Sequence, residues 1–460
     1  MKLKTMLKRV ASYGNGMQPT QVMVIGFATV IFIGAVILNL PIATQNGESI
    51  GFLNALFTAT SAVCVTGLVV VDTSTYWSFF GQLTIIMLIQ IGGLGFMTVT
   101  TMFALITGKR INLRERLLIQ EALNQRDLSG MVRLTRYVLM MTFAIEGIGA
   151  VILSTTFIPM FGLVKGAWYS LFHSISAFCN AGFDLMGSTS GQFSSITYFN
   201  NNYVVMITIS LLIILGGIGF PVLLNIIREK KYSKFNLHTK VVIFTTLSLI
   251  IVGTVTILAM EFDRPNTLGG LSFPQKVANA YFQSVTTRTA GFNTIDLTQM
   301  RESTLFAMII LMFVGAAPAS TGGGIKVTTL ATLLLSVKSL ILGKADIEIY
   351  ERRISTSTVR KAMVIFVVGI SFVVVGTFLL SATQEHYTLT ASAFEVASAF
   401  ATVGLSIGGS PTLTPIGKLL IIMYMFAGRV GSLTIFMAFM SGGSKKVQPV
   451  RYPEGSLIVG

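Results

Sequence analysis

Val65-Thr66-Gly67-Leu68, Asn180-Ala181-Gly182-Phe183, Thr289-Ala290-Gly291-Phe292 and Thr402-Val403-Gly404-Leu405 are one motif written four times. Successive glycines lie 115, 109 and 113 residues apart. Each motif follows a short apolar stretch and precedes a polar loop and a long apolar run. Recurrence at a near-constant period marks a repeated structural unit. Four such units can close around an axis and aim four backbone segments at one ion, which is the layout of a cation selectivity filter made from a single chain.

Composition puts those units in a membrane. Hydrophobic residues make up 52% of the chain, charged residues only 11%, and mean hydropathy is +0.75. A soluble domain carries roughly 25% charged residues. Several apolar runs reach the ~20 residues that span a bilayer. Lys2, Lys4, Lys8 and Arg9 precede the run 21–40. That run has full spanning length and no clear small-residue cleavage site, so it predicts a spanning helix and not a cleaved leader.

The net charge of +15 would suit a nucleic-acid partner, but its distribution argues against one. Lys and Arg fall before residue 20, in 108–136, in 228–240, in 338–361 and after 444, which together hold 25 of the 33. These segments alternate with apolar hairpins. By the positive-inside rule they are cytoplasmic, with both termini, so the spanning-helix count is even.

Each hairpin has the same parts. Helices are expected near 21–40, 52–65 and 78–107; near 134–158, 168–180 and 203–227; near 239–260, 276–289 and 303–342; and near 358–382, 389–402 and 415–441. The middle segments, about 13 residues each, are too short to span and long enough to re-enter. The expected fold is therefore an all-α polytopic membrane protein, four helix–pore-loop–helix units around a pseudo-fourfold central pore. The units are 19–107, 108–227, 228–342 and 343–441, flanked by a cytoplasmic N-terminal segment, 1–18, and a C-terminal tail, 442–460. Gly92-Gly93-Leu94-Gly95-Phe96 and Gly216-Gly217-Ile218-Gly219-Phe220 repeat in the third helices of units one and two. Small residues there serve close helix packing.

Non-helical backbone is tolerated at membrane depth only where it is buried in protein or lines water. Glycine accepts positive φ and close approach of another backbone. Carbonyls turned toward one line can replace a cation's hydration shell, and the short helices would aim their partially negative C-terminal ends at it. The expected ion site is thus Val65-Thr66-Gly67, Asn180-Ala181-Gly182, Thr289-Ala290-Gly291 and Thr402-Val403-Gly404. Asp72, Asp184 and Asp296 follow three of these glycines on the outer side, either as solvated loop charge or as carboxylates that concentrate cations at a mouth.

The segment Gly315-Ala316-Ala317-Pro318-Ala319-Ser320-Thr321-Gly322-Gly323-Gly324-Ile325-Lys326 interrupts the third helix of unit three, since Pro318 and Gly322–Gly324 do not continue a helix cheaply. It is not a phosphate-binding P-loop: Ile325 separates glycine from Lys326, Val327 follows, and the context is a membrane helix. Arg429 lies inside the last apolar helix, where a charge is costly unless paired or hydrated, and is a functional candidate by default; a structural ligand for helix carbonyls is the plainer alternative. Glu146 suits a structural or subunit-contact role, and Glu395 a tie to the fourth pore loop. Cys64 and Cys179 are expected as free, buried small residues, and His173, His238 and His386 as satisfied interfacial side chains.

TSAVCVTGL, SAFCNAGF, TTRTAGFNT and SAFATVGL around the four glycines, with GAAPASTGGGIK at 315–326 and AGRVG at 427–431, resemble the Trk/Ktr/HKT superfamily of potassium transporters over roughly residues 19–441. With no additional N-terminal hairpin the chain looks like the Ktr-type membrane, ion-translocating subunit. The resemblance implies potassium at the filter glycines as the transported ion. Glycine at all four positions resembles the potassium-selective members; a serine in the first unit marks many sodium-preferring ones. It also implies an intramembrane gating loop below the filter, with Ala316, Ser320, Thr321, Gly322, Gly323, Gly324 and Lys326, and Arg429 facing it. Finally, it implies no organic cofactor, a homodimer, and a cytoplasmic nucleotide-binding, Rossmann-type regulatory subunit; membrane lipid is the remaining partner, and nucleic acid is not one. Sodium as an activator stays open. So does a secondary transporter for another monovalent cation such as sodium, although that class favours two inverted halves over four like-oriented units. A membrane-embedded enzyme would need clustered His, carboxylate or nucleophilic groups on facing helices, and none is apparent.

Overall fold

The protein is described by a computed structural model covering residues 19–95, 98, 131–344 and 346–431. The N-terminal segment, most of the basic segment 108–136 and the tail from 432 lie outside the described residues. The chain folds first as α1 (Pro19–Leu38), α2 (Phe52–Cys64) and α3 (Phe79–Leu94). Then come α4 (Met131–Phe161), α5 (Leu163–Phe178), α6 (Tyr203–Gly217) and α7 (Phe220–Glu229). The third stretch gives α8 (Leu237–Glu261), α9 (Phe273–Thr286), α10 (Glu302–Phe313) and α11 (Val327–Ile341). The fourth gives α12 (Thr356–Thr383), α13 (Leu389–Ala401) and α14 (Pro415–Val430).

Among the described residues α1, α4, α8 and α12 are each long and apolar enough to cross a membrane. They are apolar all round, as lipid-facing helices are, and carry Phe32, Val151, Val255 and Phe378 exposed on their outer faces. The shorter helices α2, α5, α9 and α13 sit inside. Each buries a phenylalanine, Phe57, Phe172, Phe282 and Phe394, nine or ten residues before the glycine of its motif. Polar caps start the elements: Ser78 accepts from Gly81 N–H, Asn202 from Val205, Asn236 from Thr239, Thr388 from Ala391 and Thr414 from Gly417. Such a cap satisfies a donor that the first helical turn leaves unpaired.

The expected unbroken helix over 203–227 is corrected. It breaks between α6 and α7 with a bend of 98°. Gly219 there has φ +91°, a left-handed value that glycine adopts without a Cβ clash. The helices expected over 78–107 and 415–441 are interrupted after Leu94 and Val430 by Gly95 and Gly431, at φ +77° and +95°, and position 98 is again helical. The remainder of those two ranges lies outside the described residues, apart from position 98. A short antiparallel hairpin, β1 (Ile347–Ile349) with β2 (Arg352–Ile354), was not anticipated. Tyr350 and Glu351 turn it at positive φ, and Arg353 pairs with Asp346 at 2.8 Å.

Candidate functional site

The four motifs share one backbone shape. The residue two before each glycine is left-handed: Val65 (φ +57°), Asn180 (+60°), Thr289 (+65°) and Thr402 (+52°). Gly67, Gly182, Gly291 and Gly404 are at φ +96°, +69°, +82° and +91°. Three of the four left-handed residues are β-branched, for which that region is a true outlier. Such strain persists only where the surroundings impose it, and it clusters at functional sites.

The glycines meet in chain order and close a ring. A Cβ on Gly67 would lie 2.5 Å from the Ala181 carbonyl oxygen, one on Gly182 2.7 Å from that of Ala290, and one on Gly291 2.8 Å from that of Val403. One on Gly404 would strike the Thr66 carbonyl and complete the circuit. Glycine is required because each backbone lies against the preceding carbonyl of the next motif.

Hydroxyls behind the ring hold it. Gly67 N–H donates to Ser61 Oγ at 3.0 Å and Gly404 N–H to Ser398 Oγ at 3.1 Å. Ser176 Oγ donates to the Phe183 carbonyl and Thr286 Oγ1 to that of Phe292. A hydroxyl five or six residues before each glycine was a signal in the sequence that the motif reading passed over. His173 also holds its loop, its ring nitrogens meeting the Tyr169 carbonyl at 2.7 Å and Leu185 N–H at 3.2 Å.

On one side the ring opens into a cavity of about 420 Å³ lined by all four glycines with Asp72, Asp184 and Asp296. The carboxylates are not equally free. Asp72 caps a helical turn through Ser74 and Thr75 N–H, and its other oxygen accepts from Phe193 N–H at 3.1 Å. Asp296 accepts from Thr298 N–H and hydroxyl, and Asp184 from Met186 N–H at 2.9 Å.

The opposite side is covered by the segment between α10 and α11. Gly323 N–H donates to Thr402 Oγ1 at 3.0 Å, and Gly322 lies against the Thr289 side chain. Thr321 Oγ1 donates to the Phe178 carbonyl at 3.1 Å, and its N–H to that of Gly216 at 3.2 Å. Ala317 N–H reaches Gly217, and Ala316 lies in the turn where Gly315 N–H bonds Ile325. Lys326 Nζ donates back to the Gly322 and Gly323 carbonyls at 2.7 and 3.2 Å; Ser320 Oγ donates to Ala317 at 2.6 Å, and Gly324 turns at φ +67° against Ala401. Arg429 donates to the carbonyls of Thr321, Gly92 and Gly93, so its planar fork joins α14, α3 and the loop.

The remaining candidates lie off this line. Glu146 is 3% exposed and accepts from Gln90 Nε2 at 3.2 Å, while Cys179 lies beside it. Glu395 accepts from Ser406 and from Ser410 at 2.9 Å and so ties down the loop after Gly404. Both cysteines are free and buried.

A family model described as "TrkH: Cation transport protein" matches residues 16–447. The chain belongs to the TrkH cation transport protein family. It is accordingly a multi-pass membrane transport protein and not an enzyme. Ktr system potassium uptake protein B of Bacillus subtilis is 43% identical over 96% of this chain and 97% of that protein. Potassium/sodium uptake protein NtpJ of Enterococcus hirae is 41% identical over 96% of this chain and 98% of that one. The crystal structure of the potassium transporter TrkH from Vibrio parahaemolyticus superposes with a TM-score of 0.72, at 18% identity, over 92% of this chain and 85% of that one. That TrkH neighbour supports the fold.

Proposed function

We propose that this protein takes up potassium across the cell membrane through a channel-like pore. The ion site is the ring of Gly67, Gly182, Gly291 and Gly404 with the two residues before each. The observation that carries this is the closed circuit of carbonyls: each glycine at positive φ lies against the carbonyl preceding the next, with the Thr66 hydroxyl buried and unpartnered among the described residues. Oxygens so arranged replace a hydration shell. The four units make a pseudo-fourfold pore with the aspartate-lined cavity as its outer mouth, both termini being cytoplasmic by the distribution of Lys and Arg.

The loop 315–326, held by Lys326 and Arg429, is the gate, because it lies against Thr289 and Thr402 directly beneath the ring. Potassium is the cargo, and no organic cofactor is needed for the step. Sodium is the candidate activator; the name of the Enterococcus relative supports sodium as a second ion. The names of the Ktr relatives support a multi-component system; the proposed assembly is a homodimer in lipid with a cytoplasmic nucleotide-binding subunit of Rossmann type.

The test is Gly67→Ser. Its Cβ would be forced against the Ala181 carbonyl at a φ that serine rarely adopts. Strain of roughly 1–3 kcal/mol at the ion site should cut rubidium over sodium discrimination in vesicles about tenfold. Unchanged rate and selectivity would overturn the filter assignment.

A further inference from the structure

The residue three before each filter glycine is Cys64, Cys179, Arg288 and Ala401. Three are small and neutral. The fourth is a guanidinium 5% exposed to solvent. Its Nη1 donates to the Val314 carbonyl at 2.7 Å. Its Nε and Nη2 have no partner among the described residues, and no carboxylate pairs with it there. Buried donors are almost always satisfied, and one left idle calls for a reason. A buried unpaired charge is costlier still.

Location supplies the reason. Gly92, Gly216 and Gly428 press against the carbonyls of Val63, Phe178 and Phe400, each four residues before its filter glycine. Gly315 holds the matching place in unit three, 24 residues after Gly291 as Gly428 is 24 after Gly404. A Cβ there would meet Gly323 and Gly324 of the loop, and not the pore helix. Where three units join helix to helix by direct backbone contact, the third joins them through Arg288. Val314 is also the hinge: it pairs with Ile325 where the loop begins and ends.

We propose that Arg288 is a positioning residue that fastens the hinge of the 315–326 loop to the third filter motif, and that its two idle donors take loop carbonyls when the loop is displaced. This rests on the gating role given to that loop. A guanidinium suits it because five donors on one planar group can exchange partners without leaving the charge bare. The Asn180 amide donates to the Arg288 carbonyl at 3.2 Å and to Thr289 Oγ1 at 3.1 Å, so movement of Arg288 reaches the second and third motifs together.

The experiment is a double-mutant cycle read by rubidium flux in vesicles, with each variant checked by size exclusion. Its members are the parent, Arg288→Gln, deletion of Ala316–Gly323, and the two combined. Coupling between linked sites is typically ~5-fold or more. Arg288→Gln should shift flux by about that factor in the full chain and leave it unchanged once the loop is gone. An equal shift in both backgrounds would mean that Arg288 acts on the filter alone and overturns the inference. Flux unchanged by the deletion itself would instead sink the gating role, a separate reading of the same data. Arg288→Lys keeps the charge and one donor for Val314, so it should fall between parent and Gln; if the Gln variant does not fold, Lys in both backgrounds carries the cycle with the same two outcomes.

Discussion

In α3, α6 and α14 a glycine lies flat against its own pore helix, whereas the matching Gly315 looks at a loop and leaves the junction to an arginine. The first arrangement is backbone on backbone. It has no second position to move to, because packed interiors do not deform continuously. The second is a set of exchangeable hydrogen bonds: Arg288 donates to the Val314 carbonyl at the hinge, Arg429 and Lys326 donate to loop carbonyls, and Thr402 Oγ1 accepts from the Gly323 N–H. Each is worth about 0.5–1.5 kcal/mol, or about 1.5–3 where a charge donates. The difference separates a part built to stay from a part that can be released at modest cost, and it falls on the unit whose third helix is interrupted by 13 residues, 314–326.

The comparison breaks most directly by removing the exchangeable part. Deleting Ala316–Gly323 should raise rubidium flux in vesicles by roughly 5- to 150-fold, the span of a coupling of about 1–3 kcal/mol. A folded deletion variant conducting no faster than the parent would mean that the third unit is as fixed as the others.

Arg429 comes next in size. It reaches the loop at Thr321 and the fixed helix α3 at Gly92 and Gly93. Beside a narrow passage its charge also repels a crossing cation that water screens poorly there. Arg429→Ala removes both effects and should raise flux about tenfold, the equivalent of one charged hydrogen bond. Arg429→Lys should be intermediate if the fork matters and parental if only the charge does. An alanine variant that folds, inserts and conducts at the parental rate would make Arg429 a plain structural ligand.

Much of this architecture could be read from the chain. The glycine period and the apolar runs gave away the ring and the spanning helices because both depend on local residue type. Arg429 stood out by depth alone. Other parts were hidden for physical reasons. The 98° bend after Gly217 interrupts no apolar run; Gly219 and Pro221 mark it, but glycines in that stretch also serve close helix packing. The mouth aspartates looked equivalent, but Asp72 spends its oxygens on a cap and on Phe193 N–H, a contact across 121 residues. Arg288 was in view within TTRTAGFNT, yet nothing local says that no carboxylate meets it in the described fold. The hairpin at 347–354 shows period-two patterning in Ile-Glu-Ile and was passed over inside a basic segment.

The smallest expected effect sharpens the comparison from the fixed side. Gly92→Ala puts a methyl into the Val63 carbonyl, with α2 and α3 both packed around it. Neither helix can yield cheaply, and overpacking of this kind costs about 1–3 kcal/mol. Gly315→Ala meets the Gly323 carbonyl instead, on a segment held by hydrogen bonds that can re-form elsewhere. The first substitution should therefore lower thermal stability in detergent with little change in flux per folded molecule. The second should change flux by a few-fold with a smaller loss of stability, because the loop shifts where the helix cannot. Measuring melting temperature and rubidium flux on both variants separates these outcomes. If the two lose equal stability and alter flux equally, the third junction is packed like the other three, and the contrast between fixed and releasable closure does not hold.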